Sequence, residues 1–148
     1  MSPFSSPPDP KAYREKVWEI ARQIPIGKVS TYGQIASMIP APEGINLHSY
    51  ESLAPRWVGG AMAGCPDDVP WQRVINSQGK ISLRPGTGGN VQHELLEAEG
   101  IEFTEKEKID WKGYRWSGPS PEWLREHGFL EPPEKSGDKD ASQMNMGL

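Results

Sequence analysis

Cysteine is almost absent: Cys65 is the only one in 148 residues. That excludes an internal disulfide and a multi-cysteine zinc site. Histidine is scarce too, and His48, His93 and His127 fall at no metal-ligand spacing, so neither a metal nor another cofactor is expected. No apolar run approaches the ~18 residues of a membrane span, and Met1 to Pro10 lack the charge and apolar core of a signal peptide. The expectation is an intracellular protein with no membrane partner, nuclear in a eukaryote and cytoplasmic or nucleoid-associated in a bacterium.

An excess of positive charge is also missing, since the formal net charge is −4. The deficit is local. Residues 1–93 carry nine Lys/Arg against seven Asp/Glu, a balance of +2, while residues 94–148 carry seven against thirteen, a balance of −6. Phosphates respond to local potential, so a basic face on the first part is compatible with an acidic second part. What the chain has in quantity is proline (15), glycine (16) and tryptophan (6). With 35% hydrophobic residues it can bury one modest core, and a single domain, acting as a monomer, is expected.

Asp9 and Pro10 read as an N-cap and first helical residue, and Tyr13, Val17, Ile20, Ala21 and Ile24 follow at helical spacing, which predicts a helix from Pro10 to Ile24. Thr31 and Gln34 form a capping-box pattern for a short helix starting at Tyr32. Residues 39–53 read as a long loop, after which Ser52 caps a second helix through Pro55 and Met62. Two helices in this order predict a helix-turn-helix with a longer connection than usual. Gly59, Gly60, Ala61 and Ala63 leave the second helix little side chain, at about 1 kcal/mol per glycine in helix propensity. Tight internal packing, or close approach to a DNA groove, would each compensate. Residues 69–82 predict an extended segment, a turn at Ser77 to Gly79 and a short strand, together a small β-hairpin. Residues 90–99 predict a helix with Leu95 and Leu96 in the core and Gly100 past its end, and Trp111, Tyr114, Trp116 and Trp123 are expected to pack back on the domain. The predicted organisation is a flexible stretch over 1–9, a domain over 10–125, and an acidic, disordered tail over 126–148.

Four blocks carry more than secondary structure: IPIGKVSTYGQIA at 24–36, RWVGGAM at 56–62, PWQRVINSQGKIS at 70–82 and LLEAEG at 95–100. Together, in this order, they closely resemble the active domain of O6-alkylguanine-DNA alkyltransferases, over about residues 13–103. The resemblance implies a mainly α fold with a small β-hairpin, a winged-helix or helix-turn-helix-like domain of the alkyltransferase type. In that family a proline-cysteine-histidine-arginine-valine motif supplies a thiolate that takes the alkyl group from a flipped guanine. Here the motif reads Pro70, Trp71, Gln72, Arg73, Val74. An indole cannot replace a thiolate as nucleophile, and a glutamine amide cannot act as a base. Tryptophan in place of the cysteine resembles the alkyltransferase-like branch, which binds alkylated guanine and passes it to nucleotide excision repair, although that branch usually keeps the histidine. Cys65 stands where the family usually has asparagine before proline.

What the resemblance implies, residue by residue, is a protein that is not an enzyme and whose partners are duplex DNA containing O6-alkylguanine and nucleotide excision repair proteins. Arg56 enters the duplex in place of the flipped base, and Tyr32, next to Thr31, presses on the phosphate that must rotate. Gly59, Gly60 and Ala61 sit in the minor groove, where few sequence differences are readable. Trp57, beside them, either touches the sugar edge or belongs to the core. Tyr32, Met62, Trp71, Arg73, Val74 and Arg84 border the pocket for the base, with stacking on Trp71 contributing ~1–3 kcal/mol against a flipping cost of similar size. Glu99 is expected to be structural. Two alternatives remain open from sequence: an active alkyltransferase using another residue such as Cys65, and a winged-helix regulator that reads ordinary DNA; a protein-interaction module is a third.

Overall fold

The computed structural model describes residues 7–81 and 89–131. Helix α1 spans Pro10–Ala21, with the Asp9 carboxylate accepting from the Ala12 N–H at 3.2 Å and Pro10 at the first turn, where its missing N–H costs nothing. It ends three residues before the predicted Ile24, which remains buried in the connection. Strand β1, Ser30–Thr31, leads directly into α2, Tyr32–Met38. Thr31 caps α2 by accepting from the Gln34 N–H at 3.0 Å. The reciprocal arm of the capping box is absent, because the Gln34 side-chain oxygen instead accepts from the Ser30 hydroxyl at 2.5 Å, while its nitrogen donates to the Trp116 carbonyl at 2.7 Å.

Helix α3 runs Leu47–Ala63, longer than predicted. Its cap is Asn46, which accepts from the Ser49 N–H at 2.8 Å, so the predicted loop over 39–53 shrinks to residues 39–46. Pro55, read from sequence as close to a helix start, lies inside the helix. An interior proline costs ~3 kcal/mol, and the helix that carries it buries Tyr50 and Ala54 before it and Trp57 and Val58 after it. The helix buries Tyr50, Ala54, Trp57, Val58, Ala61 and Met62 along one stripe against α1 and α2.

The small sheet is present, with a different connectivity from the predicted hairpin. Strand β2, Val74–Ile75, pairs in parallel with β1, Ser30 opposite Val74 and Thr31 opposite Ile75. Parallel pairing requires a crossover, here the whole α2–α3 unit. The 76–80 segment forms a turn in which the Asn76 N–H donates to the Lys80 carbonyl at 3.0 Å. The other edge of β1 is covered by residues 114–116: Val29 N–H donates to the Tyr114 carbonyl and Trp116 N–H to the Val29 carbonyl, both at 2.9 Å.

Helix α4 spans Gly89–Ala98 and is followed by Gly100 at φ +93, a left-handed position that suits glycine. Leu96 is fully buried, whereas Leu95, expected beside it in the core, is 38% exposed. Short helices α5 (Trp111–Tyr114) and α6 (Pro121–Glu126) complete the fold. Trp116, Leu124 and Phe129 join the main core, and Leu130 N–H donates to the Met38 carbonyl at 2.8 Å. The predicted tail boundary at 126 is therefore too early: the aromatic Phe129, stacked on Trp123 at 5.6 Å, anchors a stretch whose polar composition reads as tail. Residues 132–148, the rest of that tail, and residues 1–6 of the N-terminal stretch lie outside the described residues. Among the described residues no helix is long and apolar enough to cross a membrane.

Candidate nucleic-acid interface and lesion pocket

The side of α3 opposite its buried stripe is formed by Arg56, Gly59, Gly60 and Ala63, spaced i, i+3, i+4, i+7 and thus on one face. Arg56, Gly60 and Ala63 are exposed and Gly59 is half-buried. The reason for the glycines is visible in what surrounds them. A Cβ added at Gly59 or Gly60 would meet no atom within 4 Å, so no internal neighbour requires their small size. Internal packing, the plainer reading of these glycines, is thus removed. They spend helix propensity on a surface that lets another molecule come close to the backbone.

Of the residues placed on or beside this face from sequence, two lie in the core: Trp57, for which core and sugar edge were both open, and Ala61, which was expected in the groove. Trp57 is 6% exposed and stands edge-on to Tyr13 at 5.6 Å and tilted against Tyr50 at 5.9 Å. Its indole N–H has no partner among the described residues. Ala61 is buried under α1, where its carbonyl accepts from the Trp18 indole N–H at 2.9 Å. Ala61 departs from its expected place for one physical reason: one position along a helix is a rotation of about 100°, enough to exchange the two faces. Ala63, part of the small-residue surface expected on this helix, is placed by the same periodicity beside Arg56 and Gly60. Thr31 and Tyr32 lie half-buried where β1 passes into α2, Thr31 as the cap and Tyr32 against the main core.

The motif at 70–74 forms a 3₁₀ turn, Trp71–Arg73, entered by a bond from the Trp71 N–H to the Val69 carbonyl at 2.7 Å and continued as β2. Beneath it Glu99 gathers three donors: Gln72 Nε2 at 2.8 Å, Arg73 Nε at 3.0 Å and the Gly27 N–H at 3.2 Å. Arg73 also donates through Nη1 to the Ile24 carbonyl at 2.8 Å. Burial alone would raise the Glu99 carboxyl, but the bonds from Arg73, Gln72 and Gly27 and the charge of Arg73 outweigh it and hold the group below its ordinary value. The motif arginine is thus consumed in a pair whose side chains are 14% and 11% exposed. Gln92 of α4, unnoticed in the sequence, is 2% exposed and donates to the Gln72 and Val74 carbonyls, each at 3.1 Å, clamping the turn from below.

Trp71 is half-buried and lines an open surface cavity of about 440 Å³ together with Arg22, Asp67, Asp68, Pro70, Arg73 and Leu95. The expected pocket is only partly reproduced. Tyr32, Met62 and Val74 do not line this cavity: Met62 and Val74 are buried in the main core, where apolar side chains are worth more than at an open mouth, and Tyr32 packs against that core. Arg84 lies outside the described residues. Cys65 is half-buried; burial pushes its thiol up, and Asp67 and Asp68 push the same way against the opposing effect of Arg22.

Two helices in helix-turn-helix order, the second presenting an arginine beside bare backbone, define a helix-turn-helix-like domain able to approach a partner closely. The model of the 6-O-methylguanine DNA methyltransferase DNA-binding domain matches residues 12–101, and the chain belongs to that family. It is 46% identical over 103 residues to a DNA base-flipping protein of Vibrio parahaemolyticus, covering 68% of this chain and 92% of the relative. Alkyltransferase-like protein 1 of Schizosaccharomyces pombe is 40% identical over 108 residues, covering 68% of this chain and 91% of the relative. Among solved structures, S. pombe Atl1 in complex with damaged DNA containing O6-carboxymethylguanine matches with a TM-score of 0.54 at 36% identity, covering 72% of this chain and 95% of that one.

Proposed function

We propose that this chain recognises O6-alkylguanine in duplex DNA without removing the alkyl group. The observation that carries the reading is the turn at Pro70–Val74: an indole stands at the family's nucleophile position, and the polar groups beneath it are already occupied by one another. A reactive member needs a thiolate there, and none of Trp71, Gln72 or Arg73 supplies one. Cys65 is a poor substitute, because a thiol pushed up by burial and by two carboxylates holds its proton at neutral pH.

Recognition follows from the geometry of the two surfaces. The face carrying Arg56, Gly59, Gly60 and Ala63 lies in the minor groove, with the arginine filling the stack from which the lesion has turned out. Tyr32 contacts the rotated phosphate. The extruded base stacks on Trp71, within the cavity that this residue lines, and the family resemblance assigns Arg84 to the same base. Met62 and Val74 support it from behind, and Arg73 holds Glu99 and the turn in place. Since no group accepts the alkyl substituent, removal falls to another system, and nucleotide excision repair is the one the family resemblance implies. The protein acts as a monomer, in the compartment that holds the DNA.

A competition experiment tests this. A duplex with one O6-methylguanine is expected to displace the chain from a matched unmodified duplex at lower concentration; equal competition would leave an ordinary DNA-binding domain and refute the lesion reading.

A further inference from the structure

The turn that presents Trp71 is three residues long, and a 3₁₀ turn of that length holds itself weakly. Its own bonds run from the Arg73 N–H to the Pro70 carbonyl at 3.0 Å and from the Val74 N–H to the Trp71 carbonyl. The carbonyls of Gln72 and Val74 are satisfied from another element: the Gln92 side-chain amide of α4 donates to each at 3.1 Å. One amide thus ties the turn to the first residue of β2. Gln92 is 2% exposed, and it and Ser30 are the buried polar residues among those described. A buried, bonded amide brings little net stability over an apolar side chain of the same shape, so packing alone does not call for glutamine here. What the amide adds is direction, because two N–H groups in one plane fix where two carbonyls must stand. Gln92 is not among the described residues that line the Trp71 cavity, and Glu99 takes the side chains of Gln72 and Arg73. Gln92 instead holds the backbone that carries the indole.

We propose that Gln92 is a positioning residue for lesion recognition: its amide sets the orientation of the Trp71 indole on which the alkylated base stacks, without touching the base. The inference rests on the lesion reading above. Stacking rewards a platform that already stands in place, because a side chain ordered only on binding gives up part of the contact energy. A duplex held only by the glycine face of α3 makes no use of that platform. Loosening the turn therefore weakens a lesion duplex more than an unmodified one and lowers the ratio of the two affinities. A residue that served folding alone would behave differently, since a smaller folded fraction weakens both duplexes equally and leaves their ratio where it was. The coupling is reciprocal: a base stacked on Trp71 must in turn hold the Gln92 amide on its two carbonyls.

The full chain should be titrated with two duplexes of one sequence, carrying guanine or O6-methylguanine at one position. The wild type is expected to prefer the lesion, and Gln92→Met, unbranched and without a donor, to reduce that preference about tenfold, a large part of one stacking contact. In a Trp71→Ala background Gln92→Met should change the preference no further. A second measurement needs no variant. The side-chain amide protons of Gln92, followed by NMR in the wild-type chain, should exchange with solvent more slowly in the O6-methylguanine complex than in the guanine complex, and this decides the matter should Gln92→Met not fold. A preference that Gln92→Met leaves at its wild-type value, a reduction as large without Trp71 as with it, or equal exchange in the two complexes would overturn the inference while the lesion reading stood. No preference of the wild type for O6-methylguanine over guanine would overturn the lesion reading itself, and this inference with it.

Discussion

On the outer face of α3, a Cβ added at Gly59 or Gly60 would meet open space and Arg56 is exposed, whereas beneath Trp71 the side chains of Gln72, Arg73, Gln92 and Glu99 all find partners within about 3 Å. The first region sacrifices local stability without any internal return. The second uses polar groups, costly to bury, and satisfies them with one another. The difference separates what the protein keeps for a partner from what it uses to hold itself together. A residue on the glycine face should matter for binding and little for folding; a residue of the Glu99 hub should matter for folding first.

Glu99→Ala is the most damaging change expected, lowering stability by about 3 kcal/mol, because it leaves the mostly buried Arg73 guanidinium without its counter-charge. Chemical denaturation reads this directly, and a loss under ~0.5 kcal/mol would remove the hub from the account. Arg56→Ala should do the reverse: stability within ~0.5 kcal/mol of wild type, with affinity for O6-methylguanine duplex reduced about tenfold or more. Gly60→Ala sharpens the contrast further. With open space around its new Cβ it should raise stability by roughly 1 kcal/mol while weakening duplex binding, as denaturation and titration of the same preparation would show. If it strengthened both, the face would have no partner to make room for.

The smallest effect concerns pH. The folded chain holds Glu99 below its ordinary value of 4.5, so the unfolded chain takes up the proton first as pH falls. The stabilisation is complete above about 4.5 and is lost as pH falls through the folded value. Glu99→Gln is expected to be less stable at neutral pH and to show a shallower loss of stability below pH 4.5 than the wild type; identical acid slopes would show that other carboxylates govern the transition.

Much of this arrangement was legible in the sequence, for reasons that differ by element. Asp9 and Thr31 announce α1 and α2 because a cap is a local interaction, written within three residues. The start of α3 was misplaced because Pro55 and Ser52 mimic a helix beginning, while the true cap, Asn46, precedes a polar first turn. The parallel pairing of Ser30–Thr31 with Val74–Ile75 was beyond reach, since its two halves are separated by both α2 and α3. The motif blocks located Arg56 and Trp71, but not which way neighbouring side chains face: Trp57 and Ala61 turn inwards on the same helix that turns Arg56 and Gly60 out. Gln92 carried no signal of its own, since it is defined by what the fold places beside it.

The central claim is recognition without chemistry, and the intact mass of the protein after prolonged incubation with excess O6-methylguanine duplex tests it most directly. The mass is expected to stay unchanged and the lesion to be recovered whole, in the wild type and also in Trp71→Cys, whose thiol would lack the histidine that Gln72 replaces. A gain of one methyl group by the wild-type chain, abolished by Cys65→Ala, would contradict it.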